Sequence, residues 1–439
     1  MFALSLGKTG ASARQCVSTG HPDGWEAILF QILTGMRVVE AASFVAAPSC
    51  GMQLAQLGAE VIRLDQIGGS PDRGRWPLNA RGASLFWEGL NKGKKSIAID
   101  LRKPEGRELA RAIITAPGEN AGLFVTNFPM RGFLAHDGLA ALRPDLVTVR
   151  ITGHGDGRSA VDYTINPMFG LPSMTGPEEM EDTPVNHVLP AWDLLTGMQA
   201  ATALLAAERR RRETGNGQEV RIALADIAMT TLGHLGQIGE VHSTGEARPR
   251  YGNALFGAFG RDFITADDER IMLVGLTSGQ WKALLSALEL EAQIAALEAR
   301  IGASFSTDEG LRFQHRDALF SIFEAAVAPL PLSALAQKLD KAGASWSRYD
   351  TLSNALAHNP ELSVANPIFS MVTHPGGDTY LTPGHAAAFG GEERLPPVAA
   401  PVPGGDTEQV LAVLLGLSST EIARLHDAQI VASAPHHPA

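Results

Sequence analysis

Short apolar runs alternate with helical stretches through the first third of the chain, and this alternation constrains the fold more than any other feature. Met36–Ala42 (MRVVEAA), Ala59–Asp65 (AEVIRLD), Ser96–Leu101 (SIAIDL), Leu123–Thr126 and Leu146–Thr152 (LVTVRIT) read as strands. Between them, Pro48–Leu57 has helical spacing and Gly58 follows as a C-terminal cap glycine. Pro104 opens a second helix that runs to about Thr115, and a short helix ends over Ala140–Arg143. Strand, helix, strand at this spacing predicts an α/β fold with a parallel sheet and right-handed crossovers.

One carboxylate stands out further on. Asp193, in Pro190-Ala191-Trp192-Asp193-Leu194-Leu195-Thr196-Gly197, precedes the apolar run Met198–Ala207, which ends in Glu208 and four arginines. Ala and Leu favour a helix, Asp suits its start, and arginines complement the dipole at its end. Asp193 is therefore expected at the mouth of a buried helix. An ordinary helix cap explains it equally simply. A strand over Gln218–Leu224 and one helix from about Ala225 to Glu240 come next.

The pattern then changes. We read 36–245 as a large domain and 250–365 as a smaller one, with helices near Ser278–Glu289, Ala292–Ile301, Asp308–Val327 and Leu332–Ala342. The Pro/Gly-rich segment from 366, followed by helices over Thr407–Leu415 and Thr420–Ala428, is expected to link back to the large domain through 439. Residues 1–35 read as an extension, expected to be disordered.

The chain has 439 residues, 19% of them charged, and a net charge of −11. That balance argues against a general nucleic-acid or membrane-surface binder, and no apolar run is long enough to span a bilayer. An anionic ligand then needs a local basic site. Two cysteines, Cys16 and Cys50, form neither a disulfide framework nor a thiolate metal site, and suit a reducing compartment.

Several motifs fail. Gly89-Leu90-Asn91-Lys92-Gly93-Lys94-Lys95-Ser96 resembles a phosphate loop, but position 88 is Glu and the segment precedes a strand. Gly153-His154-Gly155-Asp156-Gly157 lacks the dinucleotide pattern. No nucleophile elbow, zinc helix or clustered His/Cys set is present. Two features survive. The window 71–110 holds nine basic side chains (Arg73, Arg75, Arg81, Lys92, Lys94, Lys95, Arg102, Lys103, Arg107) against five acidic ones, so it is either a phosphate site or a solvated face. Asp193 has Tyr163, Asn186, His187 and Trp192 near it in sequence, candidates to line a pocket.

Taken together, these segments resemble the class III CoA-transferases, the family of formyl-CoA transferase and α-methylacyl-CoA racemase. The resemblance runs from Arg37-Val38-Val39-Glu40 through Leu57-Gly58-Ala59-Glu60-Val61-Ile62, Asn91 to Asp100 and Asn127-Phe128, and is strongest at Asp193-Leu194-Leu195-Thr196-Gly197 and Thr214-Gly215-Asn216-Gly217-Gln218. It covers residues 36–430. It implies a Rossmann-like large domain built from N- and C-terminal parts, a smaller α/β domain, and interlocked homodimers. It also implies a cytoplasmic enzyme on acyl-CoA, with coenzyme A part of the substrate, no permanently bound cofactor and no metal.

Asp193 is then the nucleophile. Phe44, Val45, Ala46, Lys94, Asn127 and Phe128 match positions where relatives contact CoA. The runs Asn91–Asp100, Val161-Asp162-Tyr163-Thr164, Val185 to Asp193 and Gly257 to Phe263 resemble one subgroup. This implies CoA transfer between the C1 and C4 carboxyls of mesaconyl-CoA, within one molecule. Transfer between separate short dicarboxylic acids is the alternative. Tyr163, His187 and Arg261 are expected to contact substrate. Oxyanion donors are expected at the start of the 194–208 helix and in Gly257–Gly260, with 253–263 as a lid. Three positions depart from relatives. Val161 replaces the racemases' catalytic histidine, which argues against proton shuttling. Val45 and Thr152 replace a glutamine and a lysine of formyl-type enzymes.

Overall fold

The structure, a computed structural model, describes residues 30–129, 131–180 and 183–434. The six expected strands lie in one sheet of seven. They are β1 (Arg37–Ala41), β2 (Glu60–Asp65), β3 (Lys95–Ile99), β4 (Leu123–Thr126), β5 (Val147–Thr152) and β6 (Gln218–Ala223), all parallel in the order β3-β2-β1-β4-β5-β6. This is the doubly wound order, which reverses between β1 and β4. Ligands in such sheets bind beyond the strand C-termini at the reversal. The loops after β1 and β4 are therefore the places to look for a site.

Helices cover both faces. One face packs the helix Ala46–Gln56 and the long helix Ala191–Thr214 over Val38, Val125, Val149 and Ile222. The other face packs Ile97, Ile99, Ile113 and Phe124 against Val410, Leu411 and Ile422, from the C-terminal helices Thr407–Leu415 and Ser419–Asp427. Beyond them, the two-residue strand Val431–Ala432 adds an antiparallel edge to β3. The segment 407–432 is thus part of the large sheet's packing.

A second cluster lies around Phe259, Trp281, Phe305 and Phe323. There Phe259–Ile264, Arg270–Gly275 and Ser345–Arg348 form an antiparallel three-stranded sheet against helices between residues 278 and 342. The Pro/Gly-rich stretch also holds a hairpin, Phe369–Thr373 with Thr379–Pro383. It docks on the large sheet's side, where the Gly376 N–H and Tyr380 hydroxyl donate to Glu88 (2.8 and 3.0 Å).

The structure corrects three expectations. The single helix over 225–240 is two, Leu224–His234 and Gln237–Thr244, broken at Gly236 in the left-handed region (φ 76°). In the supposed lid 253–263 the strand Phe259–Ile264 begins, and Ala258, Phe259 and Gly260 are buried, so its second half is part of a core. Residues 1–29 of the expected extension lie outside the described residues. Its end does not hang loose: Phe30 is buried edge-on to Phe389, and the Leu33 N–H donates to the Leu57 carbonyl.

The long helix meets the Ala46–Gln56 helix at Gly197. A Cβ there would stand 2.8 Å from the Ala46 carbonyl oxygen and 2.8 Å from Ser49 Cβ. Gly197 lies one turn after Asp193 on the same face, so this close approach brings Asp193 to the start of the first helix. Gly197→Ala overpacks the contact and is expected to lose about 1–3 kcal/mol of stability, read as a lowered urea midpoint with unchanged slope.

Candidate active site

Asp193 is the third residue of the long helix, whose cap position is Pro190. It is not the cap. The capping oxygen comes from another element: Asp162, first residue of the helix Asp162–Met168, accepts from the Trp192 N–H (2.7 Å) and the Asp193 N–H (3.2 Å). The first-turn donors that sequence reasoning reserved for an oxyanion are therefore already used. The Asp193 side chain is left free to face a cavity.

That cavity has a volume of about 1020 Å³ and lies where the strand order reverses. The loop after β1 supplies Phe44, Val45 and Ala46. The loop after β4 supplies Asn127 and Phe128, and the end of β5 supplies Ile151, Thr152 and Gly153. Tyr163, Asp162 and Asp193 complete the wall. The structure thus brings seven predicted residues together, namely Asp193, Phe44, Val45, Ala46, Asn127, Phe128 and Tyr163.

Three others lie elsewhere. Lys94 is buried, its ammonium donating to Glu40 (3.0 Å), Asn91 Oδ1 (2.8 Å) and the Pro48 carbonyl (2.8 Å). Its charge has no route to a phosphate. Arg261 pairs with Glu324 at 3.9 Å and lies over the Phe263 and Phe320 rings of the small domain. His187 stands behind the wall, Nε2 4.0 Å from Asp162 Oδ1 and its ring edge-on to Trp192. Asn186 bonds Asn166, which accepts from Trp192 Nε1 (3.3 Å). Asn186, His187 and Trp192 therefore surround Asp162 instead of lining the cavity.

The basic window is dispersed in the same way. Lys92 donates to the Pro383 carbonyl, Lys95 to Glu60, and Arg102 to Asp100. Of its nine cations only Arg75 reaches the cavity wall, where Arg131, Arg150 and Arg158 join it from outside the window. Sequence spacing had no way to gather arginines from three loops and a strand.

The wall also includes the start of a helix. Val45 caps Ala46–Gln56 without a side-chain bond, and its own N–H and that of Ala46 have no intramolecular acceptor among the described residues. Such N–H groups suit a developing oxyanion. Phe44, just before them, has a left-handed backbone (φ 69°), costly for a residue with a Cβ. It is pinned in place. Its N–H donates to Asp72 (2.9 Å), and Asn127 both accepts from the Ser43 N–H (3.1 Å) and donates to the Ser43 carbonyl (2.8 Å).

Burial, and then the negative charge of Asp162, push the Asp193 carboxyl up to about 7, while Arg75 pulls it back. As pH falls through 7 the carboxylate takes a proton and loses its nucleophilicity. Turnover per encounter, kcat/KM, is therefore expected to fall about tenfold per pH unit below that midpoint. Asp162→Asn keeps an oxygen for the helix cap but removes the repelling charge. Its acid limb, measured by pH–rate profiles, is expected at lower pH than the wild type's.

Residues 33–407 match the model of CoA-transferase family III. The chain belongs to that family. It is 52% identical over 402 residues to 2-methylfumaryl-CoA isomerase of Chloroflexus aurantiacus, covering 91% of this chain and 98% of the relative. Succinate–glutarate CoA-transferase of Agrobacterium fabrum is 29% identical, over 69% of this chain and 80% of its own. Among solved structures, a CAIB/BAIF family protein from Brucella suis superposes with a TM-score of 0.71 at 25% identity, covering 87% of this chain and 99% of its own. Rv3272 from Mycobacterium tuberculosis shares the fold, with a TM-score of 0.67 at 21% identity and coverage of 87% and 98%.

Proposed function

We propose that this class III CoA-transferase isomerises mesaconyl-CoA (2-methylfumaryl-CoA), moving CoA between its C1 and C4 carboxyls. The observation that carries this reading is the 52% identity, nearly end to end, to the Chloroflexus isomerase. The geometry supports the chemistry: one half-buried carboxylate, not used as a helix cap, on a cavity large enough for an acyl-CoA arm.

Asp193 attacks the C1 thioester carbonyl; the C–S bond breaks, leaving a mixed anhydride and CoA thiolate. The thiolate attacks the Asp193 carbonyl of that anhydride, giving an aspartyl-CoA thioester and free mesaconate. Mesaconate attacks this thioester through its C4 carboxylate, expelling the thiolate and forming a second anhydride. The thiolate takes the C4 acyl carbon and Asp193 returns as a carboxylate. No proton and no outside acceptor is consumed. The activated acid is never exposed as a hydrolysable free anhydride if water is kept out.

Phe44, Val45, Ala46, Asn127 and Phe128 form the CoA side of this site, and Tyr163 the substrate side. The unpaired N–H groups of Val45 and Ala46 receive the oxyanion. An interlocked homodimer belongs to this reading, as does a cytoplasmic location. Its support is the apolar surface beside the site, where Val188 is 95% exposed and Leu195 and Met198 are about half so. Among the described residues no single helix is long and apolar enough to cross a membrane.

The test is mesaconyl-CoA incubated with pure protein and labelled free mesaconate, followed by NMR and mass spectrometry. The C4 thioester is expected, without label. Label in the product would mean that the acids exchange between molecules, and no C4 product would refute the reading.

A further inference from the structure

Isomerisation as proposed leaves one carboxylate of the diacid free at every stage, and both free midway. A desolvated cavity must offer it a cation. Four arginines lie in the wall. Arg150 is paired with Glu219 (3.4 Å) and Arg158 with Asp156 (2.7 Å). Arg131 has no ring under its guanidinium among the described residues, whereas Arg75 has two.

Arg75 is also the better prepared. Its guanidinium carbon lies 5.0 Å from the Phe86 ring centre and 5.7 Å from that of Phe44. Contact with ring faces orients a guanidinium and leaves its N–H edge available. Among the described residues that edge has no carboxylate, carbonyl or hydroxyl partner. The backbone is held as well: the Arg75 N–H donates to the Asp72 carbonyl (3.1 Å), and its carbonyl accepts from the Ser84 hydroxyl. The Asp72 carboxylate in turn anchors Phe44. One buried aspartate thus fixes both the cation and the ring it rests on.

We propose that Arg75 is the receptor for the substrate's free carboxylate, clasping C4 before transfer and C1 after it, and so selects dicarboxylic over monocarboxylic thioesters. This rests on the reading above that the substrate is a diacid thioester. Bidentate pairing with a planar guanidinium suits either end of the acid, since the two carboxylates present the same face to it.

The experiment compares wild type, Arg75→Gln and Arg75→Lys. For each, kcat/KM for mesaconyl-CoA is measured together with the inhibition constant of crotonyl-CoA, a short unsaturated thioester with no second carboxylate. Arg75→Gln is expected to lose about 10- to 100-fold in kcat/KM, the loss of one charge-assisted pair. Its crotonyl-CoA inhibition constant is expected to stay at the wild-type value. Arg75→Lys, which keeps the charge but not the fork, falls between. Equal weakening of both ligands would assign Arg75 to CoA or to the turn, and no change in either would remove it from the site; both outcomes overturn the proposal. A wild-type protein that leaves mesaconyl-CoA unchanged overturns the diacid reading itself and this proposal with it. Normal wild-type isomerisation with an unaffected Arg75→Gln variant overturns the proposal alone.

Discussion

Asp193→Asn is expected to abolish isomerisation, with kcat reduced at least about 10⁴-fold, as when other covalent catalysts lose their nucleophile. The fold should survive, because the helix start is capped by Asp162 and not by Asp193. The variant should in fact be the more stable protein at alkaline pH. The wild-type carboxyl titrates near 7 in the fold, against about 3.9 in an unfolded chain. A carboxyl raised in this way favours folding fully below the unfolded value, and that contribution is lost as pH rises through the folded value. Asparagine mimics the protonated form at every pH. Its advantage in urea melts is expected to be near zero at pH 4 and on the order of 2 kcal/mol at pH 8, allowing for the side chain's partial exposure. An Asn variant that isomerises, or one without this pH-dependent gain, contradicts the assignment.

Arg63→Leu is expected to have the largest effect on stability. The Arg63 guanidinium is fully buried on β2 and donates to Asp65 (2.9 Å), Glu40 (3.2 Å), Asn91 Oδ1 (3.1 Å) and both oxygens of Asp72 (3.2 Å). Removing it leaves three carboxylates buried with one remaining cation, Lys94 on Glu40. Losing one partner of such a network typically costs about 3–5 kcal/mol, far more than the intact network contributes. Lys338→Ala breaks an exposed pair with Glu289 and should cost under about 1 kcal/mol. Chemical denaturation of the two variants side by side checks the contrast. Arg63→Leu also frees Asp72 and hence Phe44, so any folded fraction should show reduced kcat/KM.

How much of this was legible in the sequence follows the range of the interactions involved. β1 to β6 were found because each is a short apolar run bounded by glycine, proline or charge, a local signal. The site's main loops were found through resemblance, after β1 and after β4. Lys94 matches a ligand contact by position in sequence, while Glu40, Asn91 and the Pro48 carbonyl draw its ammonium into the core, a tertiary effect that spacing does not show. The 253–263 segment read as a lid on its glycines, yet Phe259 and Phe263 give it a core strand. In sequence Asp162 is only the neighbour of Val161, the position that departs from the racemases. Its role as the cap of a helix 30 residues away is a tertiary fact with no local mark. Arg75 was visible only as one of nine cations; its place in the cavity wall, over the Phe44 and Phe86 rings, is likewise a tertiary fact.

The central claim is that the Asp193 carboxyl carries the acid and then the thiol. The most direct measurement is hydroxylamine trapping during turnover of mesaconyl-CoA, followed by peptide mass spectrometry. We predict a hydroxamate at Asp193, absent without substrate and absent from Asp193→Asn. Undiminished isomerisation in the presence of hydroxylamine, with Asp193 left unmodified, would contradict it.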